Sequence, residues 1–236
     1  MPPMSLIPKK QTSVQNDHSK TLWGAFQLFC TGGSPRLLLI QFVCALLFRI
    51  SLGNWQLVDI LLGFGIFIYW PFQEWFLHLT VLHAKPRKLG GITIDLPPAK
   101  VHRYHHRNPW ILESIFVPTT TILALMPIHA GIWYLITPSW ELCLTGITSF
   151  TLCSLFYEWI HFFAHIPYRP KSKWMQLIQQ NHRAHHFKNE HYWHAFTIPY
   201  IDNIFGTGPD PKTTPRSPTC KTLGVEESFP VPESPK

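Results

Sequence analysis

Four long apolar runs constrain this chain more than any other feature of its sequence. They cover about residues 37–52, 57–70, 111–136 and 140–163. A helix needs ~20 mostly apolar residues to cross the hydrocarbon core of a bilayer. Only 14% of the 236 residues are charged and 46% are hydrophobic, whereas soluble domains carry about 25% charged residues. We therefore predict an all-α integral membrane protein with four transmembrane helices arranged as two hairpins.

The basic residues predict which side of the membrane the polar segments occupy. Two hairpins leave both termini on one side, together with the polar segments that follow the second and fourth runs. Every Lys and Arg falls on that side except Arg49, which lies in the first run and is expected to extend towards the headgroups. The positive-inside rule makes this side cytoplasmic. The net charge of +7 includes no compact basic run, so we expect no nucleic-acid partner.

Ten histidines occur in four boxes that repeat in the two halves of the chain. The boxes are His78 and His83, then His102, His105 and His106, then His161 and His165, then His182, His185 and His186. Spacings of three and four residues place side chains on one face of a helix. Five residues turn ~500°, so His78 and His83 would lie about 140° apart on an ideal helix. They either serve different metals or sit on a distorted helix.

Clustered imidazoles of this kind predict a metal site. Neutral rings need partners and charged rings repel one another, and a bound metal resolves both problems. Ten ligands are too many for one ion and fit two. Imidazole suits Zn, Cu, Fe and Ni alike, and the HExxH pattern of zinc proteases is absent. The five scattered cysteines contain no CxxC, so neither a cysteine zinc site nor a disulfide framework is expected. We interpret His18 and His129 as non-ligands.

The box pattern HX4H, HX2HH, HX3H, HX2HH carries a family resemblance, together with HHF at 185–187 and TIPYIDNIFGT at 197–207. Over about residues 37–207 the chain resembles the fatty acid hydroxylase/sterol desaturase superfamily of membrane di-iron enzymes, and most of all the catalytic domain of fatty acid 2-hydroxylases. The resemblance implies a helical membrane stem, a cytoplasmic helical cap and a dimetal centre between them. It also implies two iron ions, with zinc as a possible substitute, and O2 as co-substrate.

The function expected from this resemblance is hydroxylation of a C–H bond in a lipid, most of all a fatty acyl or sphingolipid-type chain. The dimetal centre would be the catalytic group, with no separate acid or base assigned. Electrons would come from a separate cytochrome b5 or a ferredoxin with its reductase. The alternatives are a lipid desaturase or a sterol or carotenoid hydroxylase on the same scaffold, or a non-enzymatic metal or haem membrane protein. The boxes cluster at the cytoplasmic ends of the runs, which argues against metal transport.

Four further residues are candidates for supporting roles. His191 and His194 are possible additional ligands or substrate contacts. Glu74 and Glu158 lie one helical turn before His78 and His161, where each could accept an imidazole N–H or serve as a structural cap. We expect a flexible N-terminal segment at 1–22, a membrane catalytic domain at 23–207 and a disordered Pro-rich tail at 208–236. The expected membrane is the endoplasmic reticulum in a eukaryote, and the inner or thylakoid membrane in a bacterium. The oligomeric state is left open.

Overall fold

The structure, a computed structural model, describes residues 12–226 and is mostly helical. Its helices are α1 (Leu22–Phe29), α2 (Gly33–Leu52), α3 (Leu57–Leu77), α4 (Pro97–Arg107), α5 (Leu112–Ile115), α6 (Thr119–Ile136), α7 (Trp140–His165), α8 (Lys173–Phe187) and α9 (Tyr200–Ile204). A 3-10 turn at His18–Lys20 precedes α1, and a π turn at His78–Leu82 continues α3. The long helices form the stem, and the shorter ones gather at one end as a cap.

Three segments are long and apolar enough to cross a membrane: Gly33–Leu52, Leu57–Leu82 and Leu112–Ile136. They correspond to the first three predicted spans. Helix α7 corresponds to the fourth, but it is not among the candidates by length and composition. It packs against α2, α3 and α6 and buries polar side chains such as Thr145 and Thr151. Polar side chains in membrane segments generally face the interior of a helix bundle.

The third predicted span is interrupted near its start. Helix α5 ends at Ile115, and α6 begins only after Pro118. A residue that precedes proline is disfavoured in the helical region, and Val117 is that residue. Its amide donates instead to Glu158 Oε1 over 3.1 Å, so the break ties this segment to α7.

A small β-hairpin departs from the all-α prediction. Strand β1 (Arg87–Leu89) pairs with strand β2 (Ile92–Ile94) in antiparallel register. Gly90 and Gly91 join them with φ of 54° and 84°, the left-handed conformation that two-residue hairpin turns require. The Gly-Gly pair was the signal for this turn in the sequence.

The two ends of the described chain contact the rest of the fold, and the flexible segment at 1–22 and the disordered tail at 208–236 stay predictions. Near the N-terminus, Thr12 donates from its amide and hydroxyl to Glu113 over 2.8 and 2.7 Å, and Val14 is fully buried. Residues 208–226 form a series of turns against α4 and the loop after α8; we call this segment the C-terminal strap. The remaining predicted ends, 1–11 and 227–236, lie outside the described residues.

Arg49 also differs from its expected position at the headgroups. It is buried, and its guanidinium bonds to Asp59 Oδ1 through Nη2 (2.9 Å) and to Thr145 Oγ1 through Nε (2.9 Å). Its Nη1 donates to the carbonyl of Gly53, and the ring of Trp55 lies 3.9 Å away. A buried charge needs such partners, and Asp59 lies within reach at the start of α3.

Candidate metal centre

Two groups of histidines lie side by side at the cap end of the stem. The first histidine group is His78, His83, His102, His106 and His185, and the second is His105, His161, His165, His182 and His186. Within each group, one ring nitrogen from every member lies within 4.8 Å of the others. All ten histidines predicted as ligands are therefore brought together, five in each position.

His78 and His83 face the same group because the helix widens between them. In the π turn at His78–Leu82, the His83 amide donates to the His78 carbonyl over 3.3 Å. This bond spans five residues instead of the four of an α-helix, so each turn holds more residues and the two side chains come into line. A distorted helix was one of the two alternatives that the spacing left open.

Each HxxHH box supplies both groups. On a helix the first and last histidine of such a box are about 40° apart, whereas the middle one lies about 60° to the other side. In the first box only His105 turns to the second group, and in the second box only His185 turns to the first group. The rings of His106 and His186 stack at a centroid distance of 4.1 Å, so the two groups adjoin.

His106 and His185 show why the first group suits a cation. Each donates from Nδ1 to a backbone carbonyl, His106 to Cys220 over 2.8 Å and His185 to Tyr192 over 2.7 Å. A neutral imidazole carries one ring proton, so both Nε2 atoms are left with bare lone pairs. These two Nε2 atoms nevertheless lie 3.2 Å apart. Two facing lone pairs repel each other unless a shared cation lies between them.

The same arrangement is found at His78. Its Nδ1 donates to the carbonyl of His194 over 2.8 Å, and its Nε2 lies 3.1 Å from His102 Nε2. Two nitrogens that bind one metal at ~2.1 Å with angles of about 90–110° are about 3.0–3.4 Å apart. The spacing in the first group therefore fits ligands of a single ion.

The imidazoles outside the membrane segments are held neutral, which is the form that binds metal. Burial is the main cause, and neighbouring histidines add to it. Burial lowers the pKa of His185 to about 4. It lowers the pKa of His83, His102, His105, His106, His182 and His186 well below the usual value of a histidine.

The second group has close nitrogens but fewer hydrogen bonds. His182 Nε2 lies 3.1 Å from His186 Nε2, and His165 Nε2 lies 3.4 Å from His161 Nε2, both within the spacing for ligands of one ion. His182 Nε2 and His165 Nε2 are closer than that, at 2.6 Å. The Nδ1 atoms of His182 and His186 are buried without a hydrogen-bond partner in the described chain, and so are both ring nitrogens of His105. Buried polar atoms are rarely left unpaired, and bound metal would satisfy the nitrogens that point inward. Both groups thus fit a metal ion, and together they fit a dimetal centre.

The loop after α8 positions the first group, and Asp202 fixes that loop. Its carboxylate accepts from the amides of His194 and Ala195, each over 2.9 Å, and from the Thr207 hydroxyl over 2.7 Å. Trp75 Nε1 in turn donates to Thr207 Oγ1 over 2.9 Å. Asp202 is a residue that the sequence analysis did not single out, although it lies inside the motif at 197–207.

Glu74 holds the same loop from the stem. Its Oε1 accepts from the amides of Phe196 and Thr197, and its Oε2 accepts from the Thr197 hydroxyl over 2.5 Å. Glu158 accepts from the hydroxyl of Ser34 and, as noted, from an amide at the start of α6. The hydrogen bonds found for the two carboxylates thus join segments of the fold and involve no imidazole.

Phe196 lies where the two groups meet. Its ring is parallel to that of His161, with centroids 5.0 Å apart at 8°. It also lies 4.7 Å from the ring of His78 in the first group and 4.5 Å from that of His182 in the second. This aromatic side chain therefore forms an apolar wall that borders both histidine groups.

Comparison with known proteins places this histidine-rich fold in a family. The model of the fatty acid hydroxylase family matches residues 63–207, more than half of the chain and all ten clustered histidines. The chain belongs to the fatty acid hydroxylase family.

Two Arabidopsis thaliana relatives and one solved structure resemble this family member. Dihydroceramide fatty acyl 2-hydroxylase FAH1 is 32% identical over 151 residues, which are 63% of this chain and 60% of the relative. Dihydroceramide fatty acyl 2-hydroxylase FAH2 is 26% identical over 153 residues, 64% of this chain and 62% of the relative. The chain thus spans less than two thirds of either relative.

The solved structure is that of full-length scs7p, in which only the hydroxylase domain is visible. It has a TM-score of 0.63 and 21% sequence identity, and covers 78% of this chain and 68% of that one. This likeness shows that the two proteins share a fold.

Four histidines of this hydroxylase-family chain lie outside the two groups, and one of them, His194, adjoins the first group. His194 is fully buried, and its ring lies 5.2 Å from that of His78 and 5.3 Å from that of His185. The side chain of His191 is 68% exposed. His18 is exposed as well, and His129 accepts a hydrogen bond from Trp133 Nε1 over 2.6 Å within the third candidate span. Neither His18 nor His129 belongs to a histidine group.

Proposed function

We propose that this protein is a membrane monooxygenase that hydroxylates a C–H bond of a fatty acyl chain, in a lipid of the ceramide or sphingolipid type. The observation that carries the proposal is the pair of adjoining five-histidine groups in a chain of the fatty acid hydroxylase family. The names of the plant relatives support an acyl substrate and its 2-position. One atom of O2 enters the C–H bond and the other leaves as water, which consumes two electrons and two protons.

We further propose that the ten grouped histidines bind two iron ions, five to each. Iron supplies reversible one-electron chemistry and O2 activation, which zinc in the same ligands would not. The histidines themselves set the spacing of the two positions and exclude water, since all of them except His83 are buried. His194 is a further candidate ligand of the first group because its buried ring adjoins two of that group's members. His191 is the weaker candidate, because its side chain is exposed.

An apolar groove between α3 and α7 is the proposed site of the lipid chain. It encloses about 390 Å³, within the usual ~300–1,000 Å³ of ligand sites. Its walls are Phe67, Trp70, Pro71, Leu152, Cys153, Phe156, Thr197 and Ile198. Thr197 is the neighbour of Phe196, which borders both histidine groups. A chain that enters from the lipid-facing surface would therefore meet the proposed metal centre at the inner end of the groove.

The membrane arrangement follows from the same proposal. We take α7 as a fourth span, since it packs alongside the three candidate spans. Both termini and the histidine groups then lie on one side, which the distribution of Lys and Arg makes cytoplasmic. A cytoplasmic centre can receive electrons from a separate cytochrome b5, or from a ferredoxin and its reductase. In a eukaryotic cell the expected membrane is that of the endoplasmic reticulum.

Lipid analysis tests the function directly. The full chain, expressed with a compatible electron donor, is expected to yield acyl lipids that carry one added oxygen, as seen by mass spectrometry. His185→Ala should abolish this product, whereas the matched control His18→Ala, at an exposed histidine, should not. Products that have lost two hydrogens instead would show a desaturase and overturn the assignment.

A second experiment tests the groove. Leu152→Trp is expected to fill part of it and to reduce product at least about tenfold or to shift it towards shorter chains, while bound metal stays unchanged. Leu135→Trp, at a side chain that is 80% exposed on α6 and outside the groove, is the control. Equal products from both variants would exclude this groove as the acyl site.

A further inference from the structure

We propose that the C-terminal strap is part of the metal centre, and that the backbone carbonyl of Cys220 orients His106 as a ligand of the first histidine group. The inference rests on the proposed metal site. The strap follows Thr207, where the match to the family model ends, so neither the family match nor the histidine boxes assign it this role.

The contact itself joins two buried groups. His106 Nδ1 donates to the Cys220 carbonyl over 2.8 Å; His106 is 0% exposed and Cys220 6%. A carbonyl can only accept, so this bond places the ring proton on Nδ1 and leaves Nε2 free to face His102 and His185. Partners that hold the second nitrogen of a metal-binding histidine fix its tautomer and ring orientation. Cys220 therefore acts through its backbone as a positioning residue.

The prolines of the strap provide backbone carbonyls that accept hydrogen bonds from neighbouring side chains. Because proline lacks an N–H, it favours neither helix nor sheet, and the carbonyls remain available as acceptors. Pro209 O accepts from Trp193 Nε1 over 3.0 Å, and Pro215 O accepts from Asn189 Nδ2 over 3.2 Å. The strap is thus bonded to the loop after α8, which also carries the carbonyls that hold His78 and His185.

A side-chain latch fixes the register of Cys220. The Thr219 hydroxyl donates to Glu190 Oε1, and Ser217 Oγ lies 3.1 Å from the same hydroxyl. Glu190 is only 2% exposed, so this carboxylate is a fixed anchor. The amide of Leu223 closes a turn by donating to the Thr219 carbonyl over 2.8 Å. Removing the Thr219 hydroxyl should release the neighbouring carbonyl without changing any of the ten grouped histidines.

The latch predicts an asymmetric defect in metal binding. Loss of support behind one ligand typically lowers metal affinity about 10–100-fold. Only the first group contains His106, so only one of two ions should become easier to remove. A strap that merely covers the cap would instead change stability and leave both ions equally bound.

Metal retention in the full-length protein tests this asymmetry. Iron-loaded wild type and the variants Thr219→Val, Thr219→Ser and Thr213→Val are dialysed against rising chelator concentrations, and metal per chain is measured with the unfolding midpoint. Thr219→Val should lose one ion at about 10–100-fold lower chelator concentration and keep the second. Thr219→Ser restores a hydroxyl and should behave as wild type. So should Thr213→Val, since Thr213 lies in the strap but is exposed.

A further variant separates the carbonyl from the thiol. Cys220→Ala keeps the backbone and should retain both ions; selective loss of metal there would mean that the thiol acts, and would overturn the inference. It is overturned equally if Thr219→Val releases its ions as wild type does, or releases both together as it unfolds. If the wild type itself binds no metal, the proposed metal centre is wrong. If the wild type and Thr219→Val both retain two ions, the metal centre stands and only the role of the strap is wrong.

Discussion

The two histidine groups contain the same number of imidazoles but are supported in different ways. In the first group, His78, His106 and His185 donate from Nδ1 to backbone carbonyls. Those carbonyls belong to the loop after α8 and to the strap. In the second group, the Nδ1 atoms of His182 and His186 have no hydrogen-bond partner within the described chain. The first position therefore depends on loops, and the second on the packing of α4, α7 and α8.

The difference follows from where each group lies in the fold. Four of the five histidines in the second group come from the end of α7 and from α8, which pack on each other. The first group combines the π turn, α4 and a single histidine of α8. Segments from distant parts of the chain need added restraints, because ordering each one costs conformational entropy. We expect the first ion to be the more easily lost.

The largest predicted effects come from changing His105 and His185. Each lies in the histidine group that the other half of the chain mainly provides. His105→Ala should remove the second ion and His185→Ala the first, each lowering product at least about 100-fold because a ligand matters more than its support. Two double variants distinguish the two groups. His185→Ala with His78→Ala removes two ligands of one ion and should leave one metal per chain. His185→Ala with His105→Ala should leave none.

Metal per chain and residual product check this assignment. Both doubles carry the same number of substitutions, so they are matched for general damage, and sites that act independently should add. If the two doubles bind equal amounts of metal, the division into these two groups is contradicted. His129→Ala, outside both groups, controls for the loss of a histidine as such.

The local features of the fold were predictable from the sequence because they depend on spacing. Apolar runs predicted the three candidate spans, and the HxxHH spacing predicted that imidazoles share a face. The same spacing also indicated that the middle histidine of each HxxHH box could face a different group, since it lies about 60° from the first on an ideal helix. What spacing could not fix was which group each face meets, because that depends on how α4 and α8 pack.

The non-local features were not predictable in the same way. The strap has no apolar periodicity and four prolines, a composition typical of disorder. The strap is nevertheless bonded to Asn189 and Trp193 of the loop after α8 and to His106 of α4, contacts that composition does not report. Asp202 likewise gains its role only when the chain folds back on two amides. Arg49 was expected at the headgroups because the sequence does not show that Asp59, on the next helix, lies beside it.

Glu74 provides the next comparison, because it supports the first group through the loop. Glu74→Ala would leave the amides of Phe196 and Thr197 buried without an acceptor, at a cost of about 1–3 kcal/mol each. The loop would shift, and with it the His194 carbonyl behind His78. We expect metal retention to fall about tenfold.

Glu74→Gln is the matched control for this prediction. Its amide oxygen still accepts from both backbone amides, and its amide NH2 group can donate to the Thr197 hydroxyl. Chelator titration of the two variants side by side should therefore show weakened binding in Glu74→Ala alone. Similar weakening in both would mean that the charge of Glu74 matters, and not its hydrogen bonds to the loop.

His194 should give the smallest effect and sharpens the boundary of the first group. Its buried ring adjoins His78, His83 and His185 at centroid distances of 5.2 to 5.4 Å. His194→Phe keeps the ring and removes both nitrogens. If His194 adds to the five ligands, the first ion should be released at a few-fold lower chelator concentration, since the site keeps its other imidazoles. His18→Phe, at an exposed histidine outside both groups, serves as the control and should match wild type. Unchanged release in His194→Phe would make His194 a packing residue and leave the two groups equal at five.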